Sequence, residues 1–202
     1  LNTESAVSAA SAPAKPARPP SLKADPATLS RIEEYLNGIT TIVADFTQVA
    51  PDGSLTAGKF SLKRPGKMRW QYNPPTPLLM VANNREIIYY DYELEQISHI
   101  PLDSTLASFL ARETINLSDP ALVIDEVQQT AGAVRIRLTQ KGREDEGGLM
   151  LEFSDNPLLI RNMVVTDAQG QITSVSLNNA RFGTTLENSL FEFKDPRTRR
   201  RT

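Results

Sequence analysis

Cysteine is absent from this chain of 202 residues. Its absence excludes disulfide scaffolds, thiol catalysis, thiolate zinc sites and lipidation of an N-terminal cysteine. Histidine occurs once, at His99, so a zinc site would have to be built from carboxylates and water, which is uncommon. The longest apolar runs, such as residues 78–82, have the length of strands and fall far short of the roughly 18 residues of a membrane span.

Patterns that carry chemistry are also scarce. The sequence has no phosphate-cradling glycine loop, and His99 lies in an alternating segment without the glycines of a nucleophile elbow. The acidic clusters, Asp91 with Glu93 and Glu95, and residues 144–146, are typical of solvated turns. We therefore predict no catalytic residue, no metal and no cofactor, and we expect a protein that is not an enzyme.

The charge balance is slightly acidic, with 22 basic against 24 acidic residues and a net charge of −2. Four arginines fall in a basic tail, residues 197–202, so the rest of the chain is more acidic still. Phosphate binding needs a basic face, which argues against nucleic acid as a partner. The tail offers a contact for anionic lipid, but a solvated terminus is the simpler interpretation.

The N-terminal residues differ in composition from the rest of the chain. Residues 6–20 are rich in Ala and Pro and lack periodicity, so we expect residues 1–25 to form a flexible tether. They contain no apolar h-region, and the first residue is Leu1 rather than Met, so we expect that any signal peptide has been removed. The predicted organisation is this tether, one domain over residues 26–196, and the basic tail.

One amphipathic helix is predicted directly after the tether. Asp25 and Pro26 match an N-cap followed by proline at the first helical position, and Gly38 is a natural stop. The apolar residues between them share one helical face: Leu29, Ile32, Leu36 and Ile39.

Two further short helices are predicted. One begins behind Asp103 and Ser104, and the other begins at Ser118-Asp119-Pro120, which repeats the cap-plus-proline signature. The first of them carries four apolar residues on one face: Leu102, Leu106, Phe109 and Leu110.

The remaining segments alternate as strands do. In residues 67–72, for example, Met68, Trp70 and Tyr72 alternate with polar residues. Short turns favour neighbouring antiparallel strands, so we predict a mainly β fold whose sheet curls into a barrel or bends strongly. About eleven strands are predicted, at residues 43–49, 55–62, 67–72, 78–82, 86–92, 96–100, 123–129, 133–140, 148–154, 158–167 and 171–182, with a last short piece at 190–193.

Alternation identifies the inward face of such a sheet but not what fills the space behind it. An ordinary packed core of helices and sheet is the simpler interpretation, and an apolar cavity beneath a helical lid is the alternative. The predicted inward residues, including those of the second helix, are Phe46, Phe60, Leu62, Met68, Trp70, Met80, Ile88, Tyr90, Leu106, Phe109, Leu110, Leu151 and Met163.

The order of several motifs resembles one known family. The tetrapeptide 45–48 (Asp-Phe-Thr-Gln) is followed by residues 58–72, which contain Gly-x-Phe, Arg-Pro and Trp, and then by a Pro-rich bend through Pro75. The spacing continues to residues 191–193. Over residues 26–196 the chain resembles the LolA outer-membrane lipoprotein carrier proteins.

The resemblance implies an incomplete barrel of eleven antiparallel strands under a lid of three helices. Its apolar cavity would carry acylated lipoproteins through the periplasm, from the inner-membrane ABC transporter LolCDE to the outer-membrane receptor LolB. That receptor shares the fold but is lipidated on a cysteine that this chain lacks, so we expect the soluble carrier, as a monomer.

Two residues take roles from the resemblance. Arg64, in the Arg-Pro pair, resembles the arginine that latches the lid in this family, and Met68 matches a cavity position. Other interpretations stay open. One is a related barrel that binds another amphiphile, such as a glycolipid, or acts as an envelope sensor. Another is a protein-binding module with a solid interior.

Overall fold

The computed structural model describes residues 25–102 and 106–201. Eleven strands lie within this part, which confirms the predicted mainly β fold. They are β1 (Thr41–Val49), β2 (Leu55–Lys63), β3 (Lys67–Tyr72), β4 (Leu78–Asn83), β5 (Glu86–Asp91), β6 (Gln96–Pro101), β7 (Leu122–Thr130), β8 (Ala133–Gln140), β9 (Gly148–Ser154), β10 (Leu159–Thr166) and β11 (Ile172–Phe182).

All eleven strands belong to one antiparallel sheet with the order β6-β5-β4-β3-β2-β1-β11-β10-β9-β8-β7. Within β1–β6 and within β7–β11 each strand pairs with its sequence neighbour, as short turns dictate. The two halves join where β1 pairs with β11. Phe46 in β1 lies opposite both Gly58 and Leu177. A Cβ at Gly58 would lie 2.7 Å from the Phe46 ring, so glycine makes room for that ring on the concave face.

The helix predicted after the tether is confirmed as α1 (Pro26–Gly38). The Asp25 carboxylate accepts a hydrogen bond from the backbone N–H of Ala27 at 3.3 Å, which caps the first turn. Ile32 and Leu36 are fully buried, so this face of the helix packs against the sheet.

The other two predicted helices are wrong as α-helices. Leu106–Ala111 forms a 3-10 helix, and its last carbonyls accept hydrogen bonds from another loop instead of continuing an α-helical ladder. Residues 118–121 form turns, because the side chains of Asn116 and Asp119 bond to backbone N–H groups two residues onward. The short strand predicted at 190–193 is also absent, since Asn188–Phe191 is a 3-10 helix.

Several predictions fall outside the described residues. These are the tether apart from Asp25, the capping residues Asp103 and Ser104, and the side chains of Leu106 and of residues 199–202. Within residues 25–102 and 106–201, no helix combines the length and the apolar character needed to cross a membrane.

Candidate functional site

Two segments, together called the inner cover, lie on the concave face of the sheet: α1 and residues 106–117. Ile32, Leu36, Phe109 and Leu110 from these segments are buried in one cluster with the inward side chains of the strands. Tyr35 packs edge-on against Phe153 in β9, with ring centroids 5.9 Å apart. The inner cover therefore fills the end of the barrel at which β1 begins and β9 ends.

Most of the predicted inward residues do meet in this interior cluster. Phe60 and Trp70 stack with centroids 4.1 Å apart, and Phe46 contacts Trp70 edge-on at 5.0 Å. The members drawn from the predicted set are Phe46, Phe60, Leu62, Met68, Trp70, Met80, Phe109, Leu110, Leu151 and Met163.

Ile88 and Tyr90 were predicted to face inward, and this prediction is wrong. Tyr90 belongs to a second cluster on the convex face, where its ring lies 5.5 Å from that of Phe193. Ile88 pairs directly with Val81 of that same cluster, and direct cross-strand partners share a face. Residues 87–90 are apolar without alternation, so the sequence does not reveal which pair points inward.

A cavity of about 220 Å³ remains at the opposite end of the barrel, away from the inner cover. Its volume is below the roughly 300–1,000 Å³ of typical ligand pockets. The apolar part of its wall consists of Trp70, Met80, Leu149, Met163, Val165 and Val175. Only part of the interior is therefore open, and the rest is filled by the packed cluster.

Three polar side chains complete the cavity wall: Gln48, Tyr72 and Thr173. The Tyr72 hydroxyl donates a hydrogen bond to the Gln48 side-chain oxygen at 2.8 Å. Burial and the nearby Tyr89 raise the pKa of Tyr72 to about 12. The hydrogen bond to Gln48 lowers this pKa, but by less than the other two raise it. The phenol is therefore protonated at neutral pH. The sequence search missed these residues, although Gln48 and Tyr72 follow Phe46 and Trp70 by two positions and so share their faces.

Arg64 joins the two pieces of the inner cover. Its Nε donates to the carbonyl oxygen of Leu110 at 2.7 Å, and its Nη1 donates to that of Leu36 at 2.6 Å. Both carbonyls belong to the last turns of their helices, where carbonyls lack full intrahelical bonding, and that of Leu36 also accepts from the N–H of Ile39 at 3.3 Å. Burial lowers the pKa of Arg64 to about 10, so the guanidinium remains charged at neutral pH. Its Nη2 is buried and has no hydrogen-bond partner within the described part of the chain.

The turn that carries Arg64 is itself fixed to the inner cover. The N–H of Gly66 donates to the carbonyl of Ala111 at 2.7 Å, and the carbonyl of Gly66 accepts from Asn84 at 2.8 Å. Gly66 has a φ of +69°, and a Cβ there would lie 2.7 Å from the Asn84 Cα. Only glycine satisfies both requirements. Residues 64–66 are called the latch turn below.

The two pieces of the inner cover are also tied to each other. The Asn37 amide donates to the carbonyl of Ile115 and accepts from its N–H, each at 2.8 Å. The Glu33 carboxylate accepts from the N–H of Leu117 at 2.6 Å. These contacts make α1 and residues 115–117 one hydrogen-bonded unit, which sequence reasoning did not identify.

A different segment, residues 186–194, crosses the convex face and is called the outer cover. Cationic side chains from β2 and β3 hold it: Lys63 donates to the Leu186 carbonyl at 2.7 Å, and Arg69 to the Leu190 carbonyl at 3.3 Å. Lys67 donates to the Asn188 side chain at 3.0 Å. The outer cover buries the second apolar cluster, which contains Tyr90.

His99 lies in β6, directly opposite Ile88 of β5. Its Nδ1 is 2.7 Å from a carboxylate oxygen of Glu86, and both side chains are at least one-third exposed. Across residues 25–102 and 106–201, no three His, Cys, Asp or Glu side chains cluster so as to hold a metal ion.

The sequence of this chain matches one family model and several proteins of known family. The family model described as outer membrane lipoprotein carrier protein LolA matches residues 37–194. The chain is 32% identical to an outer-membrane lipoprotein carrier protein of Methylococcus capsulatus, with 83% of each chain covered. It is 29% identical to one of Azotobacter vinelandii, with 86% of this chain and 87% of that one covered.

A solved structure supports the fold. An uncharacterized conserved protein of Thermus thermophilus aligns with a TM-score of 0.50 at 12% identity, covering 84% of this chain and 94% of that one. The family model spans most of the described residues, and the two relatives cover 83% and 86% of this chain. The chain belongs to the LolA family of outer membrane lipoprotein carrier proteins.

Proposed function

We propose that this chain is a periplasmic carrier, not an enzyme, that shelters the acyl chains of lipoproteins between the two membranes. Cargo would arrive from an inner-membrane ABC transporter of the LolCDE type and pass to an outer-membrane receptor of the LolB type. Family membership supports the cargo class. The observation that carries the mechanism is the Arg64 guanidinium, which bonds both pieces of the inner cover at once.

Loading requires the inner cover to move. The interior cavity of about 220 Å³ is smaller than typical ligand pockets, and the rest of the interior is filled by a packed cluster that includes side chains of the cover. Acyl chains must therefore replace Ile32, Leu36, Phe109 and Leu110 on the concave face.

For a single acyl chain the exchange is close to balanced. Four buried side chains of this kind contribute roughly 6–12 kcal/mol, at about 1.5–3 kcal/mol each. A chain of about sixteen methylenes gains about 13 kcal/mol on leaving water, at about 0.8 kcal/mol each. Because the two quantities are similar, cargo enters without being held irreversibly, and an acceptor that covers the chains more completely can withdraw it.

Substitution of Arg64 by Leu tests this mechanism. Without the guanidinium, the carbonyl of Leu110 loses its side-chain partner and that of Leu36 keeps only the bond from Ile39 N–H, so the inner cover opens more readily. We expect Arg64→Leu to load lipoprotein but to fail in delivering it, because the cover no longer competes with cargo for the cavity. The measurement is transfer of a radiolabelled lipoprotein from inner-membrane vesicles to outer membranes through the purified protein.

Arg69→Leu is the matched control. It removes another partly buried guanidinium that bonds a backbone carbonyl, but on the outer cover. Delivery by this variant should equal that of the unmodified protein. Equal delivery by Arg64→Leu would contradict the mechanism, and failure of the unmodified protein to accept any lipoprotein would contradict the function.

A further inference from the structure

The amide of Gln48 in the cavity wall is a polar group that a purely hydrocarbon ligand would leave without a partner. Gln48 faces the cavity among apolar neighbours, and the Tyr72 hydroxyl donates to its side-chain oxygen at 2.8 Å. With that oxygen engaged, the amide keeps both N–H hydrogens for another acceptor. Within the described part of the chain, no acceptor is bonded to the amide nitrogen of Gln48.

The position of this group in the barrel matters. Gln48 is one residue from the end of β1, Tyr72 is the last residue of β3, and Thr173 is the second residue of β11. The polar wall therefore lies at the mouth opposite the inner cover. The apolar wall extends inward from it, through Trp70 and Met163, toward the packed cluster.

We propose that Gln48, oriented by Tyr72, donates a hydrogen bond to the carbonyl oxygen that heads an acyl chain, so that the cavity selects carbonyl-linked chains over plain hydrocarbon. The inference rests on the proposed carrier function and names the part of the cargo that this site recognises. An ester or amide carbonyl would sit at the mouth, with the hydrocarbon directed toward the inner cover. Tyr72 is a positioning residue, because it acts through the Gln48 amide.

The test compares two ligands of equal length, methyl palmitate and hexadecyl methyl ether, which differ only in the carbonyl. Each displaces the fluorescent apolar probe N-phenylnaphthylamine from the purified full chain. We expect the unmodified protein to prefer the ester about fivefold, the effect of one hydrogen bond of ordinary net strength. Gln48→Leu should abolish that preference while still binding both ligands.

Two further variants complete the design. Tyr72→Phe keeps the ring that packs on Phe46 at 5.0 Å and removes only the hydroxyl, so we expect the ester preference to narrow. Gln171→Leu makes the same chemical change on an exposed residue at the same mouth and outside the cavity wall, so it should keep the full preference. If Gln48→Leu does not fold, Gln48→Glu removes the same donors and should lose the preference.

The outcomes separate the two proposals. Equal displacement by ester and ether in the unmodified protein, or an unchanged preference in Gln48→Leu, overturns the role of Gln48 and leaves the carrier function standing. Displacement by neither ligand overturns both.

Discussion

The two faces of the sheet are covered in different ways. The outer cover is held by three separate cationic side chains, Lys63, Lys67 and Arg69, each with its own acceptor. The inner cover depends on the latch turn, in which the single side chain of Arg64 reaches both of its pieces. Loss of Arg64 therefore removes bonds to both pieces of the inner cover at once, whereas loss of one of the three cations removes only one attachment of the outer cover.

The space beneath the covers differs as well. The outer cover places Phe193 on Tyr90, and a cavity of about 270 Å³ lies beside them, lined by Leu79 and mostly by polar side chains of the cover and β3. The inner cover packs into an interior that still contains an open cavity. The comparison teaches that open space at the inner face has mostly apolar walls, whereas open space beneath the outer cover has mostly polar and charged walls, so the inner face suits an apolar ligand better.

The largest expected effect comes from truncating one phenylalanine in each cover. Phe109 and Phe191 are 0% and 2% exposed, so Phe109→Ala and Phe191→Ala should each lower the free energy of unfolding by about 3–5 kcal/mol. Urea unfolding measures that loss. Only Phe109→Ala should also increase the affinity for an apolar fluorescent probe, because it enlarges the interior space. If Phe191→Ala gained as much affinity for the probe as Phe109→Ala, the proposed difference between the two covers would be wrong.

A smaller effect is expected at two glycines with the same backbone conformation. Gly66 and Gly183 both have a φ of +69°, but a Cβ at Gly66 meets Asn84, whereas one at Gly183 meets nothing within 4 Å. Gly183→Ala should lower the free energy of unfolding by about 1 kcal/mol, and Gly66→Ala by at least twice as much. Faster amide hydrogen exchange in α1 of Gly66→Ala alone would show that the latch turn holds the inner cover; similar exchange in both variants would contradict this.

The smallest effect is expected at two asparagines. Asn37 makes two hydrogen bonds to the backbone of Ile115 within the inner cover, whereas Asn188 accepts one exposed bond from Lys67. Asn37→Ala should lower the free energy of unfolding by about 1–2 kcal/mol, and Asn188→Ala by less than about 0.5 kcal/mol.

The Asn37→Ala variant also tests whether the two pieces of the inner cover move together. With Asn37 intact, amides of α1 and of residues 115–117 should exchange hydrogen at matched rates. In Asn37→Ala the two rates should diverge. Divergent rates already in the unmodified protein would mean that the two pieces open separately.

Local patterns were sufficient to predict the strands and α1. The signals for α1 lie within a few residues of it, since Asp25 caps the helix and Gly38 ends it. The faces of β5 could not be predicted, because residues 87–90 are uniformly apolar and the residue that covers Tyr90, Phe193, is distant in the sequence. The two mistaken helices failed for a similar reason, since their backbone groups bond to partners that the local pattern does not contain.

The candidate site was predicted only in part. The local sequence around Arg64 predicts only a surface turn residue, because its acceptors Leu36 and Leu110 lie in other segments. Its role was predicted from the family resemblance. Gln48 and Tyr72 could have been found from their two-residue spacing to inward aromatic residues. The predicted inward set leaves both of them out, and only the folded chain shows them bonded to each other.

The strand order has one more consequence. β6 and β7 stand at its two ends, so no ring of backbone hydrogen bonds fixes the girth of the barrel. The stretch of chain that links these edge strands contains the second piece of the inner cover. Lifting it breaks no strand pairing, so the two edges of the sheet are left free to move apart.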